Sequence, residues 1–294
     1  MFKGSIVALI TPFTNNKLDE NNYVKLINYH LDNGTNGIVP AGTTGESPTL
    51  SHIEHKKVIE LAVRECKGKI PVIAGTGSNS TSEAVELSVH AEKAGADALL
   101  VVTPYYNKPT QEGLYQHYKK INDSVGIPII IYNIPSRSVI DMSVDTMSRL
   151  FELKNIVGVK DATGNLDRVD QSLKAMGKDF IQLTGEDYNA LEFNMRGGVG
   201  CISVTANVAP NLCSKFQEAT LSLNNKEIMK KAKEINLMLA PLHKALFIES
   251  NPSPVKYAAS LLNLSSPEVR LPLVQVKEDT KKEIKKALKV AKLL

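Results

Sequence analysis

Residues 156–165 read IVGVKDATGN. Four residues without a polar side chain run together and end on Lys160, after which Asp, Thr, Gly and Asn mark a loop. A strand with one wet face alternates apolar and polar residues, whereas a strand covered on both faces reads as a continuous apolar run. This stretch is of the second kind. Seven others match it: SIVALI (5–10), GIVP (37–40), PVIAG (71–75), ALLVV (98–102), PIIIY (128–132), FIQLT (180–184) and VGCIS (199–203).

Helical patterns fill the intervals. DENNYVKLINYHLDNG (19–34) opens on an acidic cap and stops at a glycine. SHIEHKKVIELAVREC (51–66) places Ser51 and Glu54 at capping-box spacing, and TSEAVELSVHAEKAG (81–95) ends on Gly95, a left-handed stop. Eight such units in about 223 residues predict an α/β fold, a (β/α)8 TIM barrel, which takes ~250 residues. An open doubly wound sheet is the alternative. It usually carries GxGxxG after its first strand, but here TPFTNN follows, and no GxxxxGKS or GxxxxGKT occurs. Beyond residue 224 the pattern is only helical. The expected organisation is therefore a barrel over 1–223 and a C-terminal helical extension over 224–294.

Composition excludes several classes. Hydrophobic residues make up 43% and charged residues 22%, so a core of ordinary size is affordable. No apolar run approaches the ~18 residues of a membrane helix. MFKGSIVALITPF lacks the long apolar region and cleavage site of a signal peptide, so a cytoplasmic protein is expected. Cys66, Cys201 and Cys213 form no CxxC pair, which fits buried thiols in a reducing compartment. The net charge is +4, with 14 Lys/Arg against 7 Asp/Glu from Lys226 onward. In KKEIKKALKVAKLL, Ile284, Leu288 and Ala291 recur at helical spacing, so the lysines form the solvated face of an amphipathic helix. No aromatic residues interleave them as a nucleic-acid binder would want.

In a barrel of this kind, active sites form at the C-terminal ends of the strands. Lys160 sits there. Burial disfavours the charged form of an amine, and a neutral amine attacks ketones to form imines. A structural lysine paired with Asp161 is the competing account. Tyr132 ends the neighbouring run, where a phenol can shuttle protons if hydroxyls such as those of Thr43 and Tyr106 relay them. Gly42, Thr43, Thr44 and Gly45 form a tight turn whose backbone N–H groups suit a small carboxylate. Arg137, after an Ile-Pro-Ser turn, offers a planar fork for another carboxylate, or a surface salt bridge. His52 and His55 lie three apart on one helix. Without HExxH or a further ligand set, metal binding there is not expected.

Taken in order, GTTGES (42–47), VIAGTGSN (72–79), VVTPYYNKP (101–109), IIYNIPSR (130–137), VGVKDATGN (157–165) and ISVTAN (202–207) resemble the dihydrodipicolinate synthase family of pyruvate-dependent class I aldolases. The likeness extends from GSIVALITPF (4–13) to NPSPVKYA (251–258) and RLPL (270–273), essentially the whole chain. The resemblance implies a Schiff-base lyase that condenses pyruvate with L-aspartate 4-semialdehyde in the diaminopimelate route to lysine, without metal or organic cofactor. It implies Lys160 for the imine and Tyr132, Thr43 and Tyr106 for the proton relay. Thr43 and Thr44 would hold the pyruvate carboxylate, Arg137 the aldehyde substrate's carboxylate, and Gly185 and Ile202 would line the pocket.

Tyr106 reaches a neighbouring subunit's site in this family, which implies a homo-oligomer, commonly a dimer of dimers. Members that respond to L-lysine resemble this chain at Ser47, His52, His55, Asn79, Glu83 and Tyr105, so allosteric inhibition by lysine is expected. One departure stands out: Ser138-Val139 follows PSR where the family commonly has Thr-Gly. An N-acetylneuraminate lyase or keto-deoxy sugar acid aldolase would share Lys160 and Tyr132; Tyr106 and Arg137 favour the synthase. A silent carboxylate-sensing barrel would need no such set of four hydroxyl and amine groups.

Overall fold

The computed structural model describes residues 2–222 and 225–294. The expected boundary at 223/224 lies outside the described residues. Eight parallel strands, β1 (Gly4–Ala8), β2 (Gly37–Val39), β3 (Ile73–Gly75), β4 (Ala98–Val102), β5 (Ile129–Asn133), β6 (Ile156–Asp161), β7 (Ile181–Thr184) and β8 (Gly200–Ser203), run in the spatial order β2-β1-β8-β7-β6-β5-β4-β3. A parallel bridge between Ile38 and Val72 joins β2 to β3. The Ile38 N–H donates to Pro71 O and the Gly75 N–H to Pro40 O, both at 3.0 Å, so the eight strands close into a ring.

Alternation along the strands divides the apolar residues into two cores. Ile6, Ala8, Val39, Ile73, Leu100, Ile130, Leu183 and Ile202 fill the barrel interior. Val7, Ile38, Leu99, Val101, Ile131 and Val159 pack outward against the helices. Both faces are therefore dry, which is why the runs are continuously apolar.

The helices are α1 (Glu20–Asp32), α2 (His52–Cys66), α3 (Thr81–Ala94), α4 (Gln111–Asn122), α5 (Val144–Phe151), α6 (Asp167–Met176), α7 (Ala190–Met195) and α8 (Pro210–Thr220), with a short turn of helix at Pro135–Ser138. Asp19 caps α1, Ser51 and Glu54 close the capping box of α2, and Gly95 ends α3 at φ 94. Each end lies where the local sequence signals it.

The C-terminal region is helical, with α9 (Lys226–Ala245), α10 (Ser253–Leu261) and α11 (Glu278–Val290). Ile284, Leu288 and Ala291 are buried. Lys281, Lys282 and Lys286 pair with the acids three residues before them, so much of the basic face is spent on solvated i,i+3 pairs. Among the described residues no helix is long and apolar enough to cross a membrane.

Two local features differ from expectation. β1 ends at Ala8: Leu9 N–H still makes the last ladder bond, to Val39 O at 3.0 Å, but Ile10 N–H leaves the sheet and donates to Asn207 Oδ1 at 3.0 Å. Phe13–Thr14 and Lys17–Leu18 form a small antiparallel hairpin around Asn15 and Asn16, at φ 53 and 61. Asparagine tolerates that left-handed pair of angles, the signature of a two-residue hairpin turn.

Candidate active site

Lys160 and Tyr132 are direct partners in the β5–β6 register. Both are buried, and the Lys160 Nζ lies 4.0 Å from the centre of the Tyr132 ring. Asp161, the carboxylate beside it in sequence, is committed elsewhere. It accepts from Arg168 Nε at 2.9 Å and from Thr163 N–H at 2.9 Å and Oγ1 at 2.6 Å. Successive strand residues point to opposite faces, which is why Asp161 looks away from the barrel axis toward Arg168. Among the described residues Lys160 has no ion-pair partner. The account of a lysine paired with Asp161 is thereby excluded.

Space for Lys160 is left by Gly185 at the end of β7. A Cβ at that position would stand 2.9 Å from Lys160 Cε and 2.8 Å from Ala162 Cβ. Glu186 follows at once. Burial raises its carboxyl to about 7, and the Lys160 and Arg137 charges oppose that rise. It lines a cleft of about 420 Å³ shared with Tyr188, His243 and Lys244.

Across the mouth, after β2, the 42–47 turn is held by its own bonds. Gly45 N–H donates to Gly42 O and Glu46 N–H to Thr43 O, both at 3.1 Å, and Ser47 N–H donates to Gly42 O at 3.3 Å. Thr11 Oγ1 ties Gly45 O from β1's loop at 2.7 Å. The turn is therefore less open than expected, since the later N–H groups are consumed internally. The N–H groups of Thr43 and Thr44 have no backbone partner among the described residues, and these two remain for an anion.

Thr44 is buried and its Oγ1 accepts from Asn251 Nδ2 at 2.9 Å. Arg137 makes no salt bridge among the described residues; its Nη2 donates to the Asn251 carbonyl at 3.3 Å. Asn251, unremarked in the sequence beyond the NPSPVKYA motif, thus touches both candidate carboxylate-binding groups, Thr44 and Arg137. Ile202 is fully buried in the barrel interior. Tyr106 is not in the mouth of its own barrel. It is 88% exposed and holds φ 73, a left-handed angle uncommon for a tyrosine. Strained residues collect on this rim, with Ala41 at φ 52, Glu46 at φ 56 and Val139 at φ 67.

The expected regulatory residues lie along the α2–α3 edge. His52 Nε2 meets Glu83 Oε1 at 2.8 Å, and Ser78 Oγ donates to the same carboxylate. That hydroxyl bond, ahead of His52, holds Glu83 below the usual carboxylate range. Asn107 Nδ2 donates to Asn79 O at 2.8 Å, which fastens the Tyr105–Tyr106 loop to the start of α3. His55 is buried, with its pKa lowered to about 4 by desolvation. Ser47 opens the short 3-10 turn before α2. Among the described residues no cluster of three metal-ligating side chains forms.

The sequence profile of the Dihydrodipicolinate synthetase family matches residues 1–291. The chain belongs to that family. A 4-hydroxy-tetrahydrodipicolinate synthase from Pelagibacter ubique is 70% identical over 100% of both chains. The chloride-inhibited dihydrodipicolinate synthase of Acinetobacter baumannii, solved in complex with pyruvate, is 45% identical over 100% of both chains with a TM-score of 0.96. The enzyme from Cyanidioschyzon merolae, solved with lysine bound, is 35% identical, covers 100% of this chain and 99% of its own, and has a TM-score of 0.96.

Ser138 and Val139, set apart by sequence, have definite places in the structure. Ser138 is buried and its hydroxyl bonds Thr103 Oγ1 at 3.1 Å, Ile134 O at 2.9 Å and Ile140 O at 3.0 Å. Val139 occupies the left-handed position that a glycine adopts without cost. The serine's bonds tie down the loop carrying Arg137, and the valine takes the left-handed angle.

Proposed function

We propose that this chain condenses pyruvate with L-aspartate 4-semialdehyde through an imine on Lys160, as a 4-hydroxy-tetrahydrodipicolinate synthase. The observation that carries this is a lysine buried at the end of β6 against a tyrosine ring, with its neighbouring carboxylate tied to Arg168. Family membership and the relatives' shared activity support the substrate pair.

Lys160 Nζ attacks C2 of pyruvate, and the carbinolamine loses water to give an imine. Tyr132, adjacent to the amine, carries the protons, with the Thr43 hydroxyl and the Tyr106 phenol of a neighbouring subunit as relay. The Thr43 and Thr44 N–H groups hold the pyruvate carboxylate. The imine withdraws electrons, a methyl proton leaves, and the enamine carbon bonds to the aldehyde carbon bound beside Arg137. The substrate's own amine then attacks C2, closes the ring and expels Lys160. These steps require no metal or organic cofactor.

An oligomer of at least two chains is part of the same reading, supported by the exposure of Tyr106 in the single chain. L-Lysine at the Glu83 cluster is the regulatory part of the same reading, supported by the lysine-bound relative.

Borohydride reduction with pyruvate tests the central step. The expected result is a pyruvate adduct on the peptide holding Lys160, absent in Lys160→Arg because arginine stays protonated. An adduct on any other lysine overturns the assignment. Coupled assays with aspartate semialdehyde against sugar aldehydes separate this activity from the sugar-acid aldolases.

A further inference from the structure

Two residues past Thr44, Glu46 is wholly buried and so is its partner, Lys256 of α10. Their Nζ–Oε1 distance is 2.6 Å, and the other carboxylate oxygen accepts from the Arg270 backbone N–H at 3.0 Å. Lys256 Nζ lies 4.2 Å from the Phe13 ring centre, and the Arg270 guanidinium 4.1 Å from the same ring. A buried ion pair is a poor stabiliser beside apolar residues of equal volume, because both charges lose their water. Stability alone therefore does not account for it.

Its location does. Glu46 holds φ 56 and closes the turn through its N–H to Thr43 O, so its side chain anchors the end of the Thr43–Thr44 segment. Five residues before Lys256, Asn251 grips Thr44 Oγ1 and, through its carbonyl, Arg137. Both tethers start from the same short piece of the C-terminal region. The cation also cancels a carboxylate charge that would otherwise stand unpaired beside a turn suited to an anion.

We propose that the buried Glu46–Lys256 pair is a positioning device that presets the Thr43–Thr44 turn for the substrate carboxylate, with Asn251 as its second tether. This rests on the proposed role of that turn. The pair touches no reacting atom. Its loss weakens capture of pyruvate and leaves the chemistry at Lys160 intact.

The test reads pyruvate half-saturation of borohydride trapping at Lys160, together with KM and kcat, in the intact oligomer. Glu46→Gln keeps the shape and removes the charge. Glu46→Gln/Lys256→Met removes both charges, so no unpaired ion is left to unfold the chain. In both variants half-saturation and KM for pyruvate are expected to rise about tenfold with kcat within about twofold, the pattern of lost ground-state binding. Glu54→Gln, which loosens Arg270 in the same corner without contacting the turn, is expected to leave both unchanged.

Wild-type half-saturation in the neutral double variant overturns the proposal. So does a fall in the trapped fraction at unchanged half-saturation, which marks a merely structural role. Absence of trapping in the wild type instead refutes the imine assignment on which it rests.

Discussion

Gly185 shows how one missing carbon shapes this site. Its neighbours leave under 3 Å to Lys160 Cε and Ala162 Cβ, so an alanine must push against both of them. Ala162 is held by its N–H to Asn133 O at 2.9 Å, so the added methyl strains that segment and the flexible lysine takes the larger displacement. Misplacing a reacting atom by about 1 Å costs up to ~100-fold. Gly185→Ala is therefore expected to lower kcat/KM and the rate of imine trapping by about tenfold to a hundredfold with the fold intact. Steady-state kinetics beside circular dichroism check it, and unchanged kinetics would show that Lys160 does not need this space. The glycine was legible as the residue that follows FIQLT and as a pocket-lining position implied by the family resemblance. Its reason was not, because the crowding atoms belong to β6 and the residue just after it, and only the β6–β7 register brings them within reach.

At the scale of elements, the loop after β4 and the first turns of α2 and α3 act together. The loop is pinned to α3 through Asn107 and Asn79, and α3 to α2 through Glu83 and His52. Tyr106 projects from this assembly into solvent at a strained φ. Mixing Tyr106→Phe with Lys160→Ala chains is expected to restore part of the activity after subunit exchange, since some mixed dimers hold one complete site. If exchange is verified and no activity returns, the site is not shared. Glu83 belongs to the same edge. Its carboxylate, held ionised by Ser78 and His52, suits an ammonium group. Millimolar L-lysine is expected to inhibit at subsaturating pyruvate, and Glu83→Ala to weaken that inhibition while Lys160 trapping persists. Insensitivity of the wild type would leave these residues as a helix-pairing contact only.

For the whole molecule, stability against pH follows from what the barrel buries. Burial lowers His30 to about 3, His55 to about 4 and His117 to about 4, from 6.5. The unfolded chain therefore takes up protons that the folded chain refuses between about 6.5 and 4. Their stabilisation is fully present above 6.5 and is lost as pH falls toward 4. Glu54, lowered to about 2 chiefly by its hydrogen bonds from Arg270, adds a further loss below 4.5. Glu186 has the opposite sign. Burial raises it to about 7, so it favours the folded state below 4.5 and that contribution is lost as pH rises through 7. Three histidines outweigh one partly solvated glutamate. Melting temperature is expected to rise between pH 4 and 6.5; a flat or falling curve would mean these imidazoles gain protons within the folded state.

The chain's own pattern determined the eight strands, most helix ends and the candidacy of Lys160, Tyr132 and the 42–47 turn. These depend on side-chain periodicity, caps and strand-end position, all properties of neighbours in sequence. Tertiary structure decided which of those residues are free to act. Asp161 turned from Lys160 to Arg168 because adjacent strand residues face opposite sides. Asn251 reached Thr44 across 207 residues and Lys256 reached Glu46 across 210. Desolvation and ion pairing sum over every group that closure of the barrel and docking of α10 bring near, and no local stretch of sequence contains that sum.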